Sequence, residues 1–141
     1  MLISAGLLAL RFLFIMKTMT IDDEAYYAMY SRHLAWGYID HGPAVALIIK
    51  FGTILFGENG FGVRFGGLFL YVIISVFLYN FGRKEFNRNT GIILFTTFWI
   101  NILFHTNGVV ITPDAPLSFF SLLSICVYYK AYMKNPNYFY L

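Results

Sequence analysis

Apolar residues gather along this chain into four long runs separated by short polar punctuation. Residues 1–19 (MLISAGLLALRFLFIMKTM), 61–81 (FGVRFGGLFLYVIISVFLYNF), 91–108 (opening GIILFTTFWINILF) and 115–133 (APLSFFSLLSICVYYKAYM) are apolar over most of their length. At about 1.5 Å per residue such runs are of the order of a bilayer core, although the third is continuously apolar only to residue 104. The pattern predicts an all-α, polytopic membrane protein with about four transmembrane helices. A signal peptide is the competing reading of 1–19; it is the weaker one, because no basic start precedes the run and no small-x-small cleavage site follows it.

Charges inside the runs need partners. Arg11 falls in the middle of the first, where it would cost about 3 kcal/mol, so it is expected to face an acid or a wet cavity within a bundle. Arg64 lies in the first turn of the second run and is expected to snorkel to the interface. Gly66 and Gly67 would let another helix approach closely.

The stretch between the first two runs, residues 20–60, has its own pattern. Thr20 is expected to cap a helix whose first turn carries Asp22, Asp23 and Glu24, with Tyr27, Tyr30 and Leu34 recurring on one side as far as Trp36. Pro43 suits the first position of a second helix, PAVALIIKFGTILF, which Gly57 would end. That helix is short for a crossing and reads as interfacial or re-entrant. The fold expected is therefore four spans plus two interfacial helices in one loop.

Basic residues orient this arrangement. Arg83, Lys84 and Arg88 share the 82–90 turn with one acid, and Lys130 and Lys134 follow the fourth run with none. Both sites belong on the cytoplasmic side, which places loops 20–60 and 105–114 together on the outer face. Loop 20–60 carries Asp22, Asp23, Glu24, Asp40 and Glu58 against Arg32 and Lys50, so that face is acidic.

Composition agrees with the pattern. The chain is 59% hydrophobic and 12% charged, with a mean hydropathy of +0.66, outside the range of ordinary soluble domains. The net charge of +3 is scattered over segment edges and forms no basic stripe, which excludes nucleic acid as a partner. The single cysteine, Cys126, allows neither an internal disulfide nor a cysteine metal site.

Three groups could carry chemistry. Acids in a helix's first turn favour the positive end of its dipole, which is the plain reading of Asp22, Asp23 and Glu24, although one acid and a Thr cap would suffice for that. Three adjacent carboxylates repel one another, and a carboxylate poised in this way suits a general base or a metal ligand. Asp40 and His41 precede the second loop helix either as a turn or as a carboxylate–imidazole pair near the first group. Asp114, in ITPDAPL, either caps the fourth run or brings a further acid to the same face.

Taken together, DDEAYYAMYSRHLAWGYIDHGPAVALIIKFGTILFGENGFGVRF and the later TPDAPLSFF resemble the amino-terminal part of the C-type polytopic glycosyltransferases that use lipid-phosphate sugars. The resemblance is to the dolichyl-phosphate-mannose-protein mannosyltransferase-like group in particular. It implies that Asp23 is the catalytic base, with Glu24 beside it, and that Asp114 is a second acidic site residue. His41, Tyr27, Arg32 and Arg64 become candidates for binding substrate. The group's usual His-Pro-Pro reads His41-Gly42-Pro43 here, which keeps the imidazole and loosens the backbone.

The resemblance further implies one domain over 1–141, an amino-terminal piece of a longer enzyme in a prokaryotic cytoplasmic membrane with its active face outward. Its donor would be a polyprenyl-phosphate sugar and its acceptor a hydroxyl of a protein, lipid or glycan, reacting with inversion. The cofactor is undetermined; a divalent metal would draw on Asp23, Glu24, His41 and Asp114. Two other readings are a transporter or channel component, with Arg11, Asn101 and His105 lining a pathway, and a non-catalytic membrane scaffold. A pathway needs its polar residues at mid-membrane, whereas most here collect in the outer loops.

Overall fold

The computed structural model describes residues 2–134, without the side chains of residues 2–5, Leu103, His105, Asn107 and Lys134. The regular structure of these residues is entirely helical: α1 (Leu2–Lys17), α2 (Asp22–Arg32), α3 (Ala44–Phe56), α4 (Gly60–Glu85), α5 (Arg88–Ile100), α6 (Ile102–Asn107) and α7 (Asp114–Lys134). Among them α4 is long and apolar enough to cross a membrane by length and composition, and α3 is apolar but shorter.

The α3–α4 hairpin forms the centre, and local chemistry sets its turn. Pro43 stands at the N-cap of α3, and Gly57, at φ 83°, ends that helix in a conformation other residues avoid. Asn59 then serves both helices. Its side-chain amide donates to the Phe56 carbonyl at 2.7 Å, and its oxygen accepts from the Gly62 N–H at 2.9 Å.

Backbones meet closely along this hairpin. A Cβ on Gly52 would stand 2.2 Å from the Gly62 carbonyl oxygen, and one on Gly66 would stand 2.4 Å from that of Ile48. The contact expected at Gly66 is therefore a helix–helix seam. A second seam joins α4 to α5, where a Cβ on Gly91 would stand 2.6 Å from the Tyr79 carbonyl oxygen.

Two apolar cores result. Tyr71, Ile74 and Leu78 of α4 pack with Phe98 and Trp99 of α5 and Cys126 of α7. Nearer the other end of α4, Val45 and Ile49 of α3, Val63, Ile111 and Ala115 form the second, which underlies α2 through Tyr27 and Ala28.

Several expectations need correction. Ile21, not Thr20, is the N-cap of α2, and the helix stops at Arg32, leaving Leu34 and Trp36 beyond it and exposed. The third apolar run is two helices: α5 ends at Asn101, whose side chain accepts from the Phe104 N–H at 3.3 Å and so starts α6. The second run extends past Gly82 to Glu85.

Arg11 is buried, and its described surroundings are aromatic. Its Nη2 donates to the Tyr71 hydroxyl at 3.0 Å, and its guanidinium lies 3.9 Å from the Tyr71 ring centroid and 4.9 Å from that of Trp99. Ring faces thus do for this cation part of what an acid or water was expected to do. The side chains of His105 and Asn107 in α6 lie outside the described residues.

Candidate functional site

Glu24 and Arg64 organise the end of the molecule where α2, the start of α4 and the 108–113 segment meet. Neither touches solvent: Glu24 is 0% and Arg64 2% exposed, so Arg64 does not snorkel. Two charges removed from water cost several kcal/mol each unless nearly every donor and acceptor is met. Here they are met. Arg64 Nε donates to Glu24 Oε1 at 2.7 Å and Nη2 to Oε2 at 2.6 Å, a forked pair.

The rest of each group reaches other segments. Glu24 Oε2 also accepts the Ile21 N–H at 3.0 Å, the half of a capping box that an isoleucine N-cap permits. Glu24 Oε1 accepts the Ile111 N–H at 3.1 Å. Arg64 donates from Nη1 to the Thr18 carbonyl and hydroxyl, at 3.0 and 2.6 Å, and from Nη2 to the Met19 carbonyl at 2.7 Å. The α1–α2 junction, α2, α4 and the segment leading to Asp114 are thereby tied at one point.

Asp23, one residue before Glu24, is exposed, as is Asp114 at the start of α7. Among the described residues neither carboxylate is occupied by a hydrogen bond or an ion pair. Both lie close enough to Tyr27 for their charge to act on it. Burial raises the Tyr27 phenol above its ordinary pKa, and the charges of Asp23, Asp40 and Asp114 raise it further. Acids from three segments thus act on one phenol through their charge, and its ring also meets His41: the Tyr27 hydroxyl and His41 Nε2 are 3.2 Å apart.

Loop 33–43 carries Asp40 and His41 and is folded back onto α2 by tyrosines. Tyr38 stacks on Tyr30 at 3.9 Å and 8°. Its hydroxyl lies 2.9 Å from the Tyr30 carbonyl and 3.1 Å from that of His33, and accepts the Ala35 N–H at 3.2 Å. The Tyr38 N–H donates to the His41 carbonyl at 3.0 Å.

The Asp40 carboxylate accepts from Tyr30 at 2.7 Å and from Tyr26 at 3.1 Å, while the Tyr30 and Tyr26 hydroxyls also touch each other. These donors, Tyr30 first, hold the Asp40 carboxyl below its ordinary range. Burial, with the bonds to Tyr26 and Asp40, pushes the Tyr30 phenol far up. His41 Nε2 is 3.7 Å from the second Asp40 oxygen.

Of the residues expected to bind substrate, Arg32 lies 2.9 Å from Glu58, an exposed pair joining the end of α2 to the α3–α4 turn. As a surface pair it contributes little to stability. For a metal, Asp23, Glu24, His41 and Asp114 do not form a ready set: among the described residues no three His, Cys, Asp or Glu side chains stand together as ligands, and Glu24 is committed to Arg64.

The sequence reading missed the Glu24–Arg64 bond, the Ile111 N–H and the clamp on Asp40. Only the last had a local signal, Tyr26 and Tyr30 sharing one helix face four residues apart, with Tyr38 and Asp40 following.

Comparison with known proteins gives a family and a relative. A family described as dolichyl-phosphate-mannose-protein mannosyltransferase matches residues 40–141, a stretch that holds His41, Arg64 and Asp114 and begins after Asp23 and Glu24. An uncharacterised protein of Aquifex aeolicus (strain VF5) is 27% identical over 97 residues, covering 68% of this chain and 19% of that relative. The chain thus spans about a fifth of the length of the curated relative it matches. No solved structure matches.

Proposed function

This chain belongs to the dolichyl-phosphate-mannose-protein mannosyltransferase family, and from that premise we propose that it forms the amino-terminal part of one membrane domain that transfers a sugar from a polyprenyl-phosphate donor to an acceptor hydroxyl. Family membership supports the general activity in this reading, mannosyltransferase-like glycosyl transfer by an integral membrane protein. The donor, the stereochemistry and the residue roles are this proposal's own.

In this reading α1, α4, α5 with α6, and α7 cross the membrane, and α2 and α3 lie at its outer face. A prenyl chain stays in lipid while its sugar phosphate rests at headgroup depth, so the reaction belongs on an interfacial shelf. The acceptor oxygen attacks the anomeric carbon as the bond to the phosphate oxygen breaks. Asp23 takes the acceptor's proton, the lipid phosphate leaves with the bonding electrons, and one displacement inverts the centre. Glu24 acts as a positioning residue: its bonds to Arg64 and Ile111 fix the carboxylate beside it relative to Asp114. Asp114 and Tyr27 contact the sugar, and His41 faces the departing phosphate, where positive charge stabilises the transition state.

The observation that supports this most directly is the Glu24 hub, because it gives Asp23 a rigid base and leaves its carboxylate unoccupied. The test is transfer of labelled sugar from polyprenyl-phosphate donors in membranes containing the complete protein, comparing wild type with Asp23→Asn. Loss of transfer by about 10²–10⁴-fold with unchanged insertion is expected of a general base. Normal transfer by the variant would return Asp23 to the role of a helix-terminal charge.

A further inference from the structure

Loop 33–43 leaves two of its bulkiest apolar side chains unused by the fold. Trp36 is 98% exposed and Ile39 is fully exposed, while Leu34 is half exposed. The positions beside them are bound: Tyr38 through its ring, hydroxyl and backbone N–H, and Asp40 through two tyrosines. The loop owes its order to Tyr38 and Asp40, so the entropy of presenting Trp36 and Ile39 is spent whether or not they meet anything. A rigid apolar pair facing water gains whenever a partner removes it from water.

The identity of that partner follows from what adjoins the loop. α3 begins at Ala44, directly after it, and exposes Leu47, Phe51, Ile54 and Leu55 along its length. This inference rests on the membrane reading above, in which that face of α3 meets lipid at the outer boundary and the loop continues the same surface to headgroup depth. An indole suits that depth, with an apolar body for the acyl region and one N–H for the wet side. Ile39 offers no hydrogen bond, so beyond the single indole N–H the pair has little to hold a sugar or an acceptor hydroxyl, whereas both side chains gain from an acyl layer. We propose that Trp36 and Ile39 insert into the interfacial layer of the outer leaflet and set the depth at which Asp40 and His41 are held.

The complete protein, reconstituted in phosphatidylcholine vesicles brominated either high on the acyl chain or near its end, tests this through its fluorescence. The difference between wild type and Trp36→Phe isolates the emission of Trp36. Expected are a blue-shifted band and loss of most of its intensity, more with bromines high on the chain than with bromines near its end. Ile39→Trp in the Trp36→Phe background should behave alike.

An emission maximum typical of water with quenching by iodide would overturn the proposal, as would a blue-shifted band that bromolipid leaves untouched, the mark of burial against protein. If alkaline carbonate strips the protein from the vesicles, the membrane reading falls and takes this inference with it. If the protein stays and Trp36 is unquenched, the inference alone falls.

Discussion

Ile111 donates its backbone N–H to Oε1 of Glu24 across 87 residues of sequence, at 3.1 Å. This bond and the forked contact from Arg64 make Glu24 the point through which two distant acidic segments are held in register.

Removing either partner of the pair strands the other charge away from water. Glu24→Gln and Arg64→Ala are each expected to destabilise the fold by about 3–5 kcal/mol. A double variant, Glu24→Leu with Arg64→Met, should be less destabilised than the sum, since no uncompensated charge remains. Thermal unfolding in detergent measures all three, and strict additivity would show that the pair is not coupled.

Asp114 is expected to bind sugar and not to move a proton. Asp114→Asn should leave the fold intact and raise KM for the donor by about tenfold to a hundredfold, the equivalent of one hydrogen bond to a charged group at roughly 1.5–3 kcal/mol. The change in kcat should be much smaller than for Asp23→Asn. Steady-state transfer kinetics separate the two roles.

The Tyr30–Asp40 contact gives loop 33–43 a pH window. The Asp40 carboxyl is lowered in the folded protein, so its contribution is complete above the free carboxyl range, about pH 4, and is lost as pH falls through the lowered value. The Tyr30 phenol is raised, so its contribution is complete below about pH 10 and is lost as pH rises through the raised value. Protection factors for amide exchange in 33–43 should form a plateau between these limits. Tyr30→Phe, which keeps the ring stack and removes the donor, should lower the plateau and move its acid edge upward.

Glycine seams predict a sharp contrast. Gly66→Ala would press a methyl against the Ile48 carbonyl and should cost about 1–3 kcal/mol, because backbone must move to make room. Gly42, around which a Cβ would meet nothing within 4 Å, should accept alanine within about 0.5 kcal/mol. Equal effects at the two sites, read by the same unfolding assay, would contradict the close α3–α4 approach.

What the sequence made legible was what local chemistry decides. Pro43 and Gly57 bounded α3, and the apolar runs located α1, α4 and α7 within a few residues. Asn101 was legible in principle as a helix start, yet the apolar residues on both sides hid the break between α5 and α6. The extent of α2 was not legible, because its end is settled by Tyr38 returning from beyond the helix to bond the Tyr30 carbonyl. Arg64 was misjudged for a similar reason: an arginine near a helix start suggests an interface, and only the fold reveals a carboxylate 40 residues earlier at bonding distance. The acids themselves were visible, but their division of labour was not. Which of Asp23 and Glu24 is buried depends on helix phase relative to α4, a tertiary quantity.

Glu24 also imposes an order on synthesis. Its guanidinium partner lies in α4, but the last N–H it receives belongs to Ile111, made after the whole of α4. Until that residue arrives Glu24 Oε1 has Arg64 Nε as its one donor, so the register between the acidic start of α2 and the segment before α7 is set last, when Ile111 docks. Assembly of the candidate site is thus completed by a residue whose N–H meets Glu24 and whose side chain is buried in the core beneath α2.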